Sequence, residues 1–139
     1  MSVDSTGMAA RLGIKPGMVV QELGWDEDAD EDLRDAVIDL SGSEMVDEDT
    51  DEVADVVLLW WREDDGDLVD ALVDAIASLA DDGVVWLLVP KSGRPGHVVP
   101  GDVTEAAPTA GLSQTSSISA AKDWSGIRLV TPKAARTRR

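Results

Sequence analysis

Two apolar runs dominate the chain, Val53-Ala-Asp-Val-Val-Leu-Leu-Trp-Trp61 and Val84-Val-Trp-Leu-Leu-Val89. They are short, rich in Val and Trp, and do not alternate with polar residues, which predicts strands buried on both faces. Between them Leu68, Leu72, Ile76 and Leu79 recur at helical spacing, and Val69 and Val73 widen the stripe. Asp67, Asp70 and Asp74 occupy the other side, so the spacing predicts a helix from Asp67 to about Asp81 that Gly83 terminates. Strand, helix and strand in that order form a βαβ unit with a right-handed crossover.

Upstream, Gly17 to Gly24 reads as a further strand, entered through the turn-like Lys15-Pro16-Gly17. Residues 30–41 predict a second helix, with Leu33, Val37 and Leu40 inward, Asp32, Asp35 and Asp39 outward, and Gly42 as its stop. Glu44-Met-Val46 reads as a short edge strand, and a brief helix is expected around Met8 to Leu12. Downstream, Pro90 to His97 is a loop by its Pro and Gly content. A short helix around Val103 to Ala110 and two strands, Leu112–Ala120 and Trp124–Val130, complete the chain. The Ser/Thr-rich first strand of that pair suits an edge. These elements predict one α/β domain over residues 1–131, Rossmann-like and three-layered. Its sheet is expected to be mostly parallel, with an antiparallel C-terminal hairpin.

Charge changes this picture more than composition does. The 139 residues hold 28 Asp and Glu against 12 Lys and Arg, and 43% are apolar, too many for a disordered acidic tail. Residues 26–82 carry 23 of the acids but only Arg34 and Arg62, a net of −21. A body this negative repels phosphate backbones, which argues against nucleic acid and for a basic protein partner, or simply for solubility. Residues 132–139 form a basic tail. The absence of cysteine excludes disulfides and thiol-ligated metals. No apolar run approaches ~18 residues and the N-terminus lacks a signal-peptide pattern, so a cytoplasmic, soluble protein is expected.

The order of elements resembles a compact class I methyltransferase fold, the architecture that binds S-adenosylmethionine. Leu12 to Gly24 resembles the lead-in and first strand, and Asp55 to Trp60 the fourth strand. Leu79 to Pro90 resembles the fifth strand, and Ala110 to Val130 the closing antiparallel pair. The chain is also similar to an actinobacterial domain-of-unknown-function family, and its Ala, Val, Asp and Arg bias suits a high-GC genome. The resemblance implies that a cofactor would be contacted by Glu22, Gly24, Trp25, Asp26 and Asp47. The family ends its first strand in an acidic residue followed by Gly-x-Gly-x-Gly, which lets the backbone approach the ligand. Here Glu22 and Gly24 match, but Asp26 and Asp28 stand at the later glycines. A strand–helix unit is also missing between Val46 and Val53. The expectation is therefore a degenerate cofactor loop, no cofactor, and an interaction or regulatory role. The alternatives are an S-adenosylmethionine- or nucleotide-binding protein or methyltransferase with an altered loop, and a structural homo-oligomer joined through Ser113–Ser119.

Ligands of open parallel sheets collect at the carboxyl ends of the strands. Three loops should meet there, Gly24–Asp30, Trp60–Gly66 and Pro90–His97, bringing Trp60, Trp61, Lys91, Arg94 and His97 to one crevice. The preferred reading is that Lys91 and Arg94 neutralise nearby carboxylates, that Trp60 and Trp61 pack in or near the core, and that His97 is a solvated loop residue. The acidic triplets from Asp26 and Asp47 lack the Gly and Glu of an EF-hand, so no metal is expected. The six outward Asp residues of the two helices are expected to form one acidic face.

Overall fold

A computed structural model describes residues 9–131. Met8 and the basic residues 132–139 lie outside the described residues. In chain order the elements are β1 (Val20–Leu23), α1 (Glu31–Ser41), β2 (Ala54–Trp60), a 3-10 turn (Glu63–Asp65) and α2 (Leu68–Ala75). Then follow β3 (Leu79–Pro90), α3 (Pro100–Thr109), β4 (Ser113–Ser119) and β5 (Trp124–Val130). The five strands form one sheet ordered β1-β2-β3-β5-β4. The β1-β2 and β2-β3 pairs are parallel, whereas β5 is antiparallel to both of its neighbours. The sheet is thus mixed, and the Ser/Thr-rich β4 is an edge strand as its composition suggests.

The central strands are buried on both sides because alternate residues feed two separate cores. Val57, Leu59, Val85 and Leu87 pack with Leu72 and Ala75 of α2 and with Val103 and Ala107 of α3. Val56, Leu58, Trp60, Trp86 and Leu88 pack with Leu33, Ala36 and Val37 of α1 and with Leu12 and Ile14. Helices α1 and α2 are capped as their sequence dictates. Asp30 accepts from the Leu33 amide at 2.8 Å, and Gly42 closes α1 at a φ of 85°, where its amide reaches the Ile38 carbonyl at 2.8 Å. Asp67 caps α2.

The segment after α1 explains how the sheet is wound. Val46 makes a single parallel bridge to Gln21 on the outer edge of β1. Its amide and carbonyl bond the Val20 carbonyl and Glu22 amide at 2.9 and 2.8 Å. The expected edge strand is reduced to this bridge, and residues 47–53 contain neither helix nor strand. From β1 the chain therefore crosses outward through α1 to Val46, then returns to start β2 on the other side of β1. Two right-handed crossovers heading in opposite directions place their helices on opposite faces of a sheet. That corrects one expectation: the outward Asp32, Asp35 and Asp39 of α1 and Asp67, Asp70 and Asp74 of α2 lie on opposite sides of the molecule.

Two boundaries also move. Helix α2 stops at Ala75 instead of Asp81, and Leu79 belongs to β3, where it pairs with Ala54. The Ser78 carbonyl accepts the Ala54 amide at 2.7 Å, so the sheet claims this backbone before the helix can continue. Ile76 and Leu79 satisfy either periodicity, which is why the spacing misleads. Gly83 is not a helix stop but lies within β3, where a Cβ would collide with the Leu79 side chain. The first strand likewise shortens to Val20–Leu23, since Met18 is still held in a turn by the Lys15 carbonyl. No helix among the described residues is long and apolar enough to cross a membrane.

Leu72 is fully buried beneath the sheet. Leu72→Ala is expected to cost about 2–4 kcal/mol and lower the melting temperature by roughly 8–15 °C, measured by circular dichroism.

Candidate functional site

The chain reverses its winding direction between β1 and β2, so the crevice beyond their carboxyl ends is the place where an open α/β sheet gathers ligands. Glu22 stands at the end of β1, with its side chain only 9% exposed. A carboxylate so enclosed must be paired, and Glu22 accepts three hydrogen bonds. Arg34 of α1 donates Nε to Oε2 at 2.6 Å and Nη2 to Oε1 at 2.8 Å. The Trp60 indole Nε1 donates to Oε2 at 2.9 Å from the end of β2. The Arg34 guanidinium is held charged above its usual range, chiefly by its hydrogen bonds to Glu22. Gly24 follows at a φ of 75°, and a Cβ there would run into the Trp60 carbonyl oxygen. Glycine is therefore required for β1 and β2 to end this close together.

A second cation crosses the crevice. Arg62, just beyond β2, forks onto the Asp28 carboxylate, with Nε 3.0 Å from Oδ2 and Nη2 on Oδ1. Its Nη1 donates to the Gly24 carbonyl at 2.7 Å and to Asp65 at 3.3 Å. The guanidinium also lies over the Trp124 ring, 5.2 Å from its centroid. Trp124 in turn meets Trp60 edge-to-face at 4.8 Å, and its Nε1 donates to the Asp28 carbonyl at 3.2 Å. Burial works against the charge on Arg62, but Asp28 and Asp65 outweigh it and raise its pKa. Beside this cluster a cavity of about 200 Å³ remains, lined by Asp28, Pro90, Arg94, Pro95, Asp123 and Trp124.

The three loops do converge, since the Glu63 amide also bonds the Gly96 carbonyl at 2.9 Å. Their side chains take roles that the sequence foreshadows only in part. Trp60 and Trp61 are both buried, in the two different cores. Trp25 is half exposed on the rim, donating to Glu31 at 3.1 Å with Arg34 5.8 Å from its ring centroid. Asp26 is exposed and caps the amide of Glu27. Asp47 follows the Val46 bridge at the same end of the sheet as Glu22, and its Oδ1 caps the Asp49 amide at 2.9 Å. Arg94 pairs with Asp123 at 3.1 Å, as a neutralising cation would. Lys91 does not: its Nζ bonds the Ser119 hydroxyl at 2.6 Å. His97 is half buried instead of solvated, and its Nδ1 donates to the Pro90 carbonyl at 3.0 Å. Among the described residues no group of three or more His, Asp or Glu side chains converges as a metal site.

Arg34, Arg62 and Trp124 are the residues whose roles sequence reasoning missed. A signal existed for the two arginines. They are the only bases within residues 26–82; Arg34 ties α1 to Glu22 of β1, and Arg62 ties the Asp28 loop to the end of β2.

The architecture is that of a methyltransferase-like α/β protein. The chain aligns with an O-methyltransferase from neocarzinostatin biosynthesis, solved with S-adenosylhomocysteine and a dihydroxynaphthoic acid. That match has a TM-score of 0.66 at 15% identity, over 91% of this chain and 53% of the other. A methyltransferase from Aquifex aeolicus aligns at 0.62 and 13% identity, over 91% and 88% of the two chains. A TehB-like methyltransferase from Corynebacterium glutamicum aligns at 0.55 and 14%, over 92% and 88%. At such identities the likeness concerns the fold alone. The chain belongs to the family described as "Protein of unknown function (DUF3052)", which matches residues 9–133. It is 57% identical to an uncharacterised protein of Mycobacterium tuberculosis, over 93% of this chain and 81% of that one, and equally similar to one of Mycobacterium bovis.

The Asp28 carboxyl is held below its ordinary value of 3.8, chiefly by the hydrogen bond from Arg62. A carboxyl with a depressed folded pKa stabilises fully above about pH 4 and loses that contribution as pH falls through the folded value. Melting curves from about pH 5 to about pH 2 should therefore show Asp28→Asn less stable than the native chain at the upper end, with the gap closing toward the lower end.

Proposed function

We propose that this chain is a small cytoplasmic interaction or regulatory module, non-catalytic, built on a methyltransferase-like scaffold, and that it engages a basic protein partner. The observation that carries this reading is Arg62 lying across the crevice, bound to Asp28, Gly24 and Asp65 and stacked on Trp124. The residues present do not fit S-adenosylmethionine. Glu22 is already engaged by three hydrogen bonds from Arg34 and Trp60. Asp26 and Asp28 put carboxylates where the family's turn has bare backbone, facing a ligand that carries a carboxylate itself. The remaining space, about 200 Å³, is below the roughly 300–1,000 Å³ of ordinary small-molecule sites.

The partner reading rests on charge. The net charge is −16, and the acids of both α1 and α2 point to solvent from opposite faces. Such a field accelerates encounter with a basic surface from many directions, and its effect falls with salt. The half-exposed Trp25, held by Glu31 and Arg34 beside the crevice, is the aromatic anchor best placed to become a binding hot spot.

A second reading, an S-adenosylmethionine or nucleotide binder with an altered loop, draws on Glu22 and Gly24 standing in the motif positions at the end of β1. It requires Arg62 to leave the crevice. Homo-oligomerisation through β4 is disfavoured by the register shift between Gln114 and Ser116, since a bulge blunts an edge for pairing.

A thermal-shift titration separates the first two readings. A ligand at about 100 times its Kd adds ~2.7 kcal/mol, or roughly 8 °C for a chain of this size. The native chain is expected to show no shift with S-adenosylmethionine or S-adenosylhomocysteine, and a saturable shift would transfer the case to the second reading. In affinity capture, retention of the partner should drop steeply with added salt, and equal retention at low and high salt would remove the electrostatic basis.

A further inference from the structure

At the opposite end of the sheet from the crevice lies a larger cavity, about 470 Å³, bounded by the segment before β1 and by the starts of β2 and β3. Its volume falls within the ordinary range for small-molecule sites, roughly 300–1,000 Å³. Arg11, Lys15 and Arg128 line it. Their state is unusual for this chain. Arg34, Arg62 and Arg94 each pair with at least one carboxylate. Among the described residues, by contrast, Arg11, Lys15 and Arg128 form no ion pair. In a protein with 28 acids, the two unpaired arginines of the described chain share one cavity, and a lysine joins them.

The rest of the wall defines what could lie against these cations. The partly buried Val84, Ile118 and Met18 contribute apolar lining, backed by the buried Trp86. The Trp86 indole N–H is spent on the Leu12 carbonyl at 2.8 Å, and the ring is buried, so Trp86 backs the cavity without offering it a donor. Two carboxylates also line the cavity, Asp55, whose Oδ2 accepts from the Val19 amide at 2.9 Å, and Asp82. Arg128 is steadied by the Thr115 hydroxyl, 3.1 Å from Nη1. A cavity lined by three cations outside any ion pair, two carboxylates and several apolar side chains is complementary to a molecule with an anionic head and an apolar body.

The geometry points to a binding site for an amphipathic organic anion, a carboxylate, sulfonate or phosphate on an aliphatic or aromatic body, at the amino-terminal end of the parallel strands. The site is separate from the crevice and does not depend on the interaction reading above. The cations select the head and the sheet face takes the body, so inorganic phosphate alone is a poor ligand.

The test uses the full chain and the fluorescent amphipathic anion anilinonaphthalene sulfonate, with far-ultraviolet circular dichroism confirming that each variant is folded. Saturable binding to the native chain is expected. Lys15→Glu and Arg128→Glu should each weaken it on the order of tenfold, the scale of one charge-assisted hydrogen bond. Lys15 is exposed, which makes its variant the safer of the two for folding. Lys122→Glu, an exposed change of equal charge in the β4–β5 turn, should weaken binding less than about twofold. Decanoate and adenosine monophosphate serve as competitors with aliphatic and aromatic bodies, and displacement by at least one of them but not by inorganic phosphate supports the proposal. Absence of saturable binding, equal weakening by Lys122→Glu, or displacement by inorganic phosphate as effective as that by decanoate would overturn it.

Discussion

A carboxylate nine-tenths removed from water has to be answered by donors, and the end of β1 is organised around that requirement. Glu22 is answered by Arg34 from α1 and by Trp60 from β2, so one side chain ties a helix, two strands and the crevice together. Removing one partner from such a group leaves an uncompensated charge, which costs about 3–5 kcal/mol. The consequences spread outward. Trp60, held by Glu22, gives Trp124 an edge to pack on, and Trp124 gives Arg62 a ring to cover. Arg62 then binds the loop that follows Glu22, closing a circuit from β1 to β2 to β5 and back.

That circuit turns a ligand-gathering geometry into a packed one. The sheet still reverses its winding between β1 and β2, and the glycine needed for close approach still follows the acid. What fills the space is the protein's own guanidinium and indole. The same fold thus presents a crevice crossed by Arg62 at one end and, at the other, a cavity more than twice as large, lined by cations that form no ion pair among the described residues. The likeness to methyltransferases concerns the fold, and side chains decide what fills each end of the sheet.

The acidic residues act at two ranges. Near the crevice and in the turns, Asp28, Asp30 and Asp67 accept specific hydrogen bonds that cap helices or hold Arg62. Over the outer faces of α1 and α2 they remain solvated and contribute a field. Only the first group carries structure, because exposed charges are screened beyond about a Debye length, ~8 Å at physiological salt.

Much of the architecture was legible in the sequence because it depends on local signals. Two-sided burial of β2 and β3 shows as continuous apolar runs, α1 is bracketed by Asp30 and Gly42, and the C-terminal hairpin is spaced by its own turn. Glu22-Leu-Gly24 also marks the carboxyl end of β1, where the acid and the positive-φ glycine stand. Tertiary structure decided the rest. Leu79 fits a helix stripe and a strand equally well, and only pairing with Ala54 assigned it to the sheet. The two acidic helices look alike along the chain, yet the reversal through Val46 sends them to opposite faces. Arg62 reaches Asp28 and Gly24 across 34 and 38 residues of chain, and Arg11 and Arg128 line one cavity. Periodicity and caps record what a residue does with its near neighbours. Partners brought together by sheet pairing leave no such trace, so the state of both ends of the sheet was set only when the chain folded.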